Sequence, residues 1–179
     1  MVIALAGRRV DAPDAATARF PLASVEIVGR RIDELFDQEK ATALVCSAAC
    51  GADLLALKVA GARRMRRRIV LPFDRARFRT TSVTDRPGDW GPLYDQILAE
   101  LDPSHDVVIL EGHSEGAEAY LAVNRMILQD AVGLAAPLGA GAMAVLVWEG
   151  APRGSDDTTA AFGQEAQRLG LKVGHVKTL

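Results

Sequence analysis

The run Cys46-Ser47-Ala48-Ala49-Cys50-Gly51-Ala52-Asp53 carries the sharpest chemistry in this chain. An apolar strand ends at it, small residues turn, and a helix opens with a glycine and an aspartate. Small side chains such as Ala48, Gly51 and Ala52 let a ligand approach the backbone closely. The N–H groups of a first helical turn and the positive end of its dipole suit a phosphate. Ser47 adds a hydroxyl. Asp53 either faces the ligand or caps the helix. Gly7 and Arg8 follow the first strand, and a guanidinium there matches phosphate geometry. The alternatives are a turn built for packing and a solvated loop arginine.

Other residues offer less. Glu111, Gly112 and His113 fall in a turn-rich loop after another strand, where a surface histidine is the plainer reading. Asp156 and Asp157 could hold Mg2+ on a nucleotide or cap the helix that opens at Thr158 and Thr159. Tyr120 and Asn124 share a helix face, one read as core and the other as facing the site. Cys46 and Cys50 are too few for zinc, and Cys46 reads as core. Arg63, Arg64, Arg66, Arg67 and Arg68 form a basic run. Nucleic acid is one reading of it. A cation-favouring helix end with a solvated face is the preferred one, because no aromatics interleave.

These residues need a scaffold, and the pattern supplies one. Short β-rich runs at residues 2–6, 42–47, 69–72, 107–110, 143–148 and 172–176 alternate with helix-period stretches. Helices are expected after Ser24, over 52–66, over 90–101, over 114–136 and over 158–169. Residues 73–89 read as a loop. The alternation predicts one α/β domain over 1–179. It has a Rossmann-like, doubly wound parallel sheet of five or six strands, with residues 2–6 near its centre and helices on both faces. In such a sheet the ligand site lies in the loops at the carboxyl ends of the strands, where strand order reverses.

Composition sets the outer limits. The chain has 179 residues, 49% apolar and 25% charged, the balance of a globular domain that needs no disulfide or metal to fold. The formal net charge of -2 does not mark the whole surface for nucleic acid or membrane. No apolar run approaches the roughly 20 residues of a membrane span. The first residues lack the basic flank of a signal peptide, so two reduced thiols in the cytoplasm are expected. The long helix at 114–136 is of the kind that pairs in homodimers.

Gly7-Arg8 after strand one and Ser47-x-x-x-Gly51-Ala52-Asp53 after strand two resemble the SLOG superfamily, which includes the Smf/DprA and Lonely Guy proteins. Leu71-Pro72-Phe73, Phe78, Thr81-Ser82-Val83, Trp90 and Trp148-Glu149-Gly150-x-Pro152 look like a bacterial subgroup of it. The resemblance covers nearly the whole chain. It implies a Rossmann-like domain binding a nucleotide or nucleotide derivative. The phosphate would sit at the strand-two turn, under a cover of residues 150–159. Lonely Guy members are phosphoribohydrolases with a P-G-G-x-G-T-x-x-E loop. The matching stretch here, from Pro152, lacks the glycine pair and has Phe162 at the glutamate position. That departure favours a binding or sensing role. A nucleotide hydrolase would need Glu111, Glu115 or Glu149 as a substitute, and a DNA-binding domain would act through the arginine run.

Overall fold

The structure, a computed structural model, describes residues 1–110 and 116–179. Six parallel strands form one sheet: β1 (Val2–Gly7), β2 (Ala43–Cys46), β3 (Arg66–Leu71), β4 (Val107–Ile109), β5 (Ala142–Trp148) and β6 (Lys172–Lys177). Their order is β4-β3-β2-β1-β5-β6. The chain steps outward from β1 to β4, then returns to the other side of β1. Strand order therefore reverses between β1 and β5, which pair from Val2↔Ala142 to Gly7↔Val147. This is the Rossmann-like, doubly wound arrangement, with β1 inside the sheet.

Alternation along the strands builds two cores. Ile3, Leu5, Leu44, Cys46, Ile69 and Val145 face one side. There they meet α1 (Val25–Gln38), α2 (Ala52–Ala62) and α4 (Trp90–Glu100) through Val28, Ile32, Phe36, Leu54, Leu57 and Tyr94. Val2, Ala4, Val45, Ala144 and Leu146 face the other. They pack on α5 (Ala117–Ala135) and α6 (Thr158–Arg168) through Val123, Ile127, Leu128, Phe162 and Ala166. Among the described residues, no helix is long and apolar enough to cross a membrane.

Helix α1 opens directly after Ser24 as expected, although Ser24 also ends a 3-10 turn, Leu22–Ser24, and its side chain makes no cap bond. Other local expectations need correction. Residues 73–89 are not plain loop. A one-turn helix, α3 (Arg75–Phe78), runs into a π-helical turn over Arg79–Val83 and buries Phe78, Ser82 and Val83. Helix α2 stops at Ala62, so Arg66, Arg67 and Arg68 belong to β3. Pairing with the apolar β2 strand decides this, since the strand needs a neighbour regardless of side-chain charge. Four of the five arginines of the basic run are ion-paired in place. Arg63 pairs with Asp33 and Asp37, Arg66 with Asp106, Arg67 with Glu100 and Arg68 with Asp130.

Candidate functional site

A cavity of about 540 Å3 opens at the carboxyl end of β1, at the reversal of strand order. Gly7, Arg8 and Arg9 form its floor beside Ser47 and Asp53 of the β2–α2 turn. The loop of residues 11–19 gives one wall, with Ala12, Ala15 and Ala16. That loop is folded on Asp11, whose Oδ2 accepts the N–H groups of Arg19 and Phe20 at 2.9 and 3.0 Å. Phe78, Ser82 and Arg86 come from the segment after β3. Helix α5 adds Tyr120, Val123, Asn124 and Ile127, and the segment after β5 adds Arg153, Thr158 and Thr159.

Of the expected site residues, Gly7, Arg8, Ser47, Asp53, Thr158 and Thr159 line this cavity. Ala48, Gly51 and Ala52 are buried behind it. Glu111 and Gly112, with His113 and Glu115, lie outside the described residues. Asn124 lines the cavity and donates through Nδ2 to the Thr158 carbonyl at 2.8 Å. Tyr120 lines it as well, its hydroxyl 3.3 Å from Ser82 Oγ.

Three amides of the β2–α2 turn are engaged within the protein. Ala49 N–H donates to Asp53 Oδ2 at 3.1 Å, Cys50 N–H to the Ser82 carbonyl at 2.9 Å and Ala52 N–H to the Arg8 carbonyl at 3.1 Å. The small residues serve close packing. A Cβ on Gly7 would stand 2.4 Å from Ala52 Cβ. Gly51 has φ +91°, and a Cβ there would be 2.8 Å from both the Arg8 carbonyl and the Val10 nitrogen. The turn thus locks helix α2 onto the chain leaving β1.

Arg8 is also not the exposed phosphate clamp that its position implied. It is 3% exposed. Nε donates to Glu149 Oε2 at 2.7 Å, Nη1 to Asp157 Oδ1 at 2.7 Å, and Nη2 to Glu149 Oε1 and the Ala151 carbonyl. Its guanidinium carbon lies 5.6 Å from the Trp148 ring centre. Arg8 therefore ties the segment after β5 to the end of β1. Burial opposes its charge, but the two carboxylates win and its pKa is raised. Asp157 is the cap of α6, accepting from Thr159 and Ala160 N–H through Oδ1 and from Arg153 N–H through Oδ2. Burial would raise its pKa, yet Arg8 and these amides bring it to about 2. Of the two readings of Asp157, the structure shows the helix cap. Asp156 is exposed and accepts from Ser155, and no metal-sized cluster of ligating side chains occurs among the described residues.

Arginines that sequence reasoning passed over supply the accessible positive charge. Arg9 donates to Asp85 at 2.6 Å and stays about one-third exposed. Arg86 Nε is buried without a hydrogen-bond partner, 3.5 Å from Asp85 Oδ2. Arg153 is half exposed, 3.8 Å from Asp157. Burial, and then repulsion from Arg8 and Arg19 against the pull of Asp157 and Glu149, lower its pKa. The segment after β3 is among the strand-end loops that could hold a site; Ser82 stands there in the Thr81-Ser82-Val83 run of the resemblance without a role, and nothing in the sequence singles out Arg86.

Asp53 closes the floor. Burial pushes its carboxyl up to about 7, against the Ala49 N–H and the charge of Arg9. Cys46 and Cys50 are both buried, and burial raises each thiol, Cys50 to about 11. They are not poised as nucleophiles. Phe162, at the position of the Lonely Guy glutamate, is fully buried in the α5–α6 core and does not line the cavity. No protein-family profile matches the chain, and a search of curated proteins finds no similar one.

Proposed function

We propose that this domain binds a nucleotide or nucleotide-derived ligand at the carboxyl end of β1, as a binding or sensing module. The carrying observation is the cavity itself. It has the size of a small-molecule site and joins three chemistries that a nucleotide needs. Arg9, Arg86 and Arg153 offer charge for phosphate. Phe78, Val123 and Ile127 offer apolar surface for a base, and Ser47, Ser82, Asn124 and Asp53 offer polar groups for a sugar. Phosphate is assigned to these arginines, since the Ala49, Cys50 and Ala52 amides of the β2–α2 turn already donate within the protein.

Calorimetric titration with nucleoside mono- and diphosphates, cyclic nucleotides and ADP-ribose derivatives tests the reading. At least one binds with Kd below millimolar. Arg153→Gln and Arg9→Gln each weaken it by about 1.5–3 kcal/mol, the worth of a charge-assisted hydrogen bond. Thermal unfolding of both variants stays near that of the parent, since both side chains are partly solvated. If no compound of the panel binds, a partner-binding scaffold replaces this reading.

A further inference from the structure

We infer that Asp53 is the acceptor for sugar hydroxyls in this pocket, so that the domain selects ribose-bearing ligands over their 2′-deoxy counterparts. The inference rests on the nucleotide reading and names the part of the ligand that the floor of the cavity recognises.

Two aspartates at this site sit in the first turn of a helix or just before it, and they are used differently. Asp157 fills its acceptor positions with three backbone amides and Arg8. Asp53 is 7% exposed, accepts only the Ala49 N–H, and does so through Oδ2. Among the described residues nothing donates to Oδ1, and no cation forms an ion pair with the carboxylate. A carboxylate offers about four acceptor positions. A helix-capping role leaves most of these unfilled, in a residue that is largely buried yet holds no fully buried orphan atom, so its free oxygen opens to the cavity. The side chain lines the cavity, so the missing donors must come from what fills it.

The donor's chemistry follows from the neighbours. Among the described residues, Arg9 is the cation whose charge acts on Asp53. In a nucleotide the group next to a phosphate is the sugar, and the base lies farther off. A phosphate on Arg9 and Arg86 therefore brings sugar hydroxyls, and not base amino groups, within reach of Asp53. A vicinal cis-diol presents two O–H donors side by side, which suits a carboxylate with a free oxygen. A cationic amine would meet the same carboxylate, but it would also meet the arginines around it.

The test compares matched pairs in calorimetry at pH 8: AMP with dAMP, GMP with dGMP, CMP with dCMP and UMP with dUMP. For the pair that binds best, the ribonucleotide binds at least about tenfold tighter in the wild-type protein. Asp53→Asn brings the two within about twofold. The ratio also falls between pH 8 and pH 6 in the wild type, because a protonated carboxyl loses acceptor capacity. The charged or titratable groups near Asp53 among the described residues are Arg9 from the end of β1 and the Cys46 thiol of β2, with Arg86 lining the same cavity. Burial holds the Cys46 thiol well above its ordinary range, and using the ratio cancels the titration of the ligand's own phosphate. Equal binding of the two sugars by the wild type overturns the inference and leaves the nucleotide reading standing. A preference that survives in folded Asp53→Asn overturns it too. If no nucleotide binds, both fall together. Should Asp53→Asn fail to fold, the wild-type ratio and its pH dependence still decide.

Discussion

Single side chains at this site divide into those that hold the fold and those left over for a ligand, and charge satisfaction separates them. Arg8, Glu149 and Asp157 satisfy one another with side chains almost wholly out of solvent. Arg8→Ala leaves two carboxylates buried without their partner and costs about 3–5 kcal/mol in urea unfolding, far more than a loop arginine would. Acid acts on the same cluster. The Asp157 pKa is lower folded than unfolded, so its stabilisation is complete above about pH 4 and is lost as pH falls toward about 2. Asp157→Asn therefore flattens the acid limb of a thermal-melt profile between those values. Asp53 has the opposite sign. Its folded pKa of about 7 lies above the ordinary carboxylate value, so its ionisation costs stability as pH rises from about 4 to 7. The melting temperature of Asp53→Asn relative to wild type rises from pH 5 to pH 8. A flat difference would mean that Asp53 ionises freely in the folded protein.

At the level of elements, the β1–loop and β2–α2 junctions are one unit, welded by Gly7 against Ala52 and by Gly51 against residues 8–10. Gly51→Val combines a backbone angle that side chains resist with collision against main chain that cannot swing aside. It lowers stability by several kcal/mol, about 2 or more, and circular dichroism melts will show it before any ligand is added. The strands, the helices and the central position of β1 were legible because hydrophobic periodicity reports burial directly. So was the place of the cavity, which follows from strand order. The helix cap at Asp157 was legible, but its pairing with Arg8 was not. Both sit at positions that suit a ligand, and only the 149-residue separation between them, closed by folding, turns them into partners. Glu149 lies inside the Trp148-Glu149-Gly150 motif and Arg8 inside Gly7-Arg8, so the two motifs are halves of one ion-paired cluster. Ser82 and Arg86 were hidden for a different reason. A π-helical turn, not a loop, carries Ser82 inward, and no periodicity of the sequence marks it.

The molecule as a whole carries a slight negative charge, yet Arg8, Arg9, Arg19, Arg86 and Arg153 gather around one cavity, which concentrates positive charge there. Raising salt should weaken nucleotide association by slowing arrival more than by hastening departure, which stopped-flow measurements separate. The pairing of β1 with β5 has a further consequence. The two strands that frame the cavity are among the most distant in the chain, joined through everything that β2, β3 and β4 contribute. Contacts of such long loops form late, after local helices and neighbouring strands have settled. Chain emerging from the ribosome can bury β1 against β2 long before β5 exists. Competence to bind therefore arrives in the closing step of folding, and a refolding time course followed by ligand fluorescence should trail the recovery of helical signal.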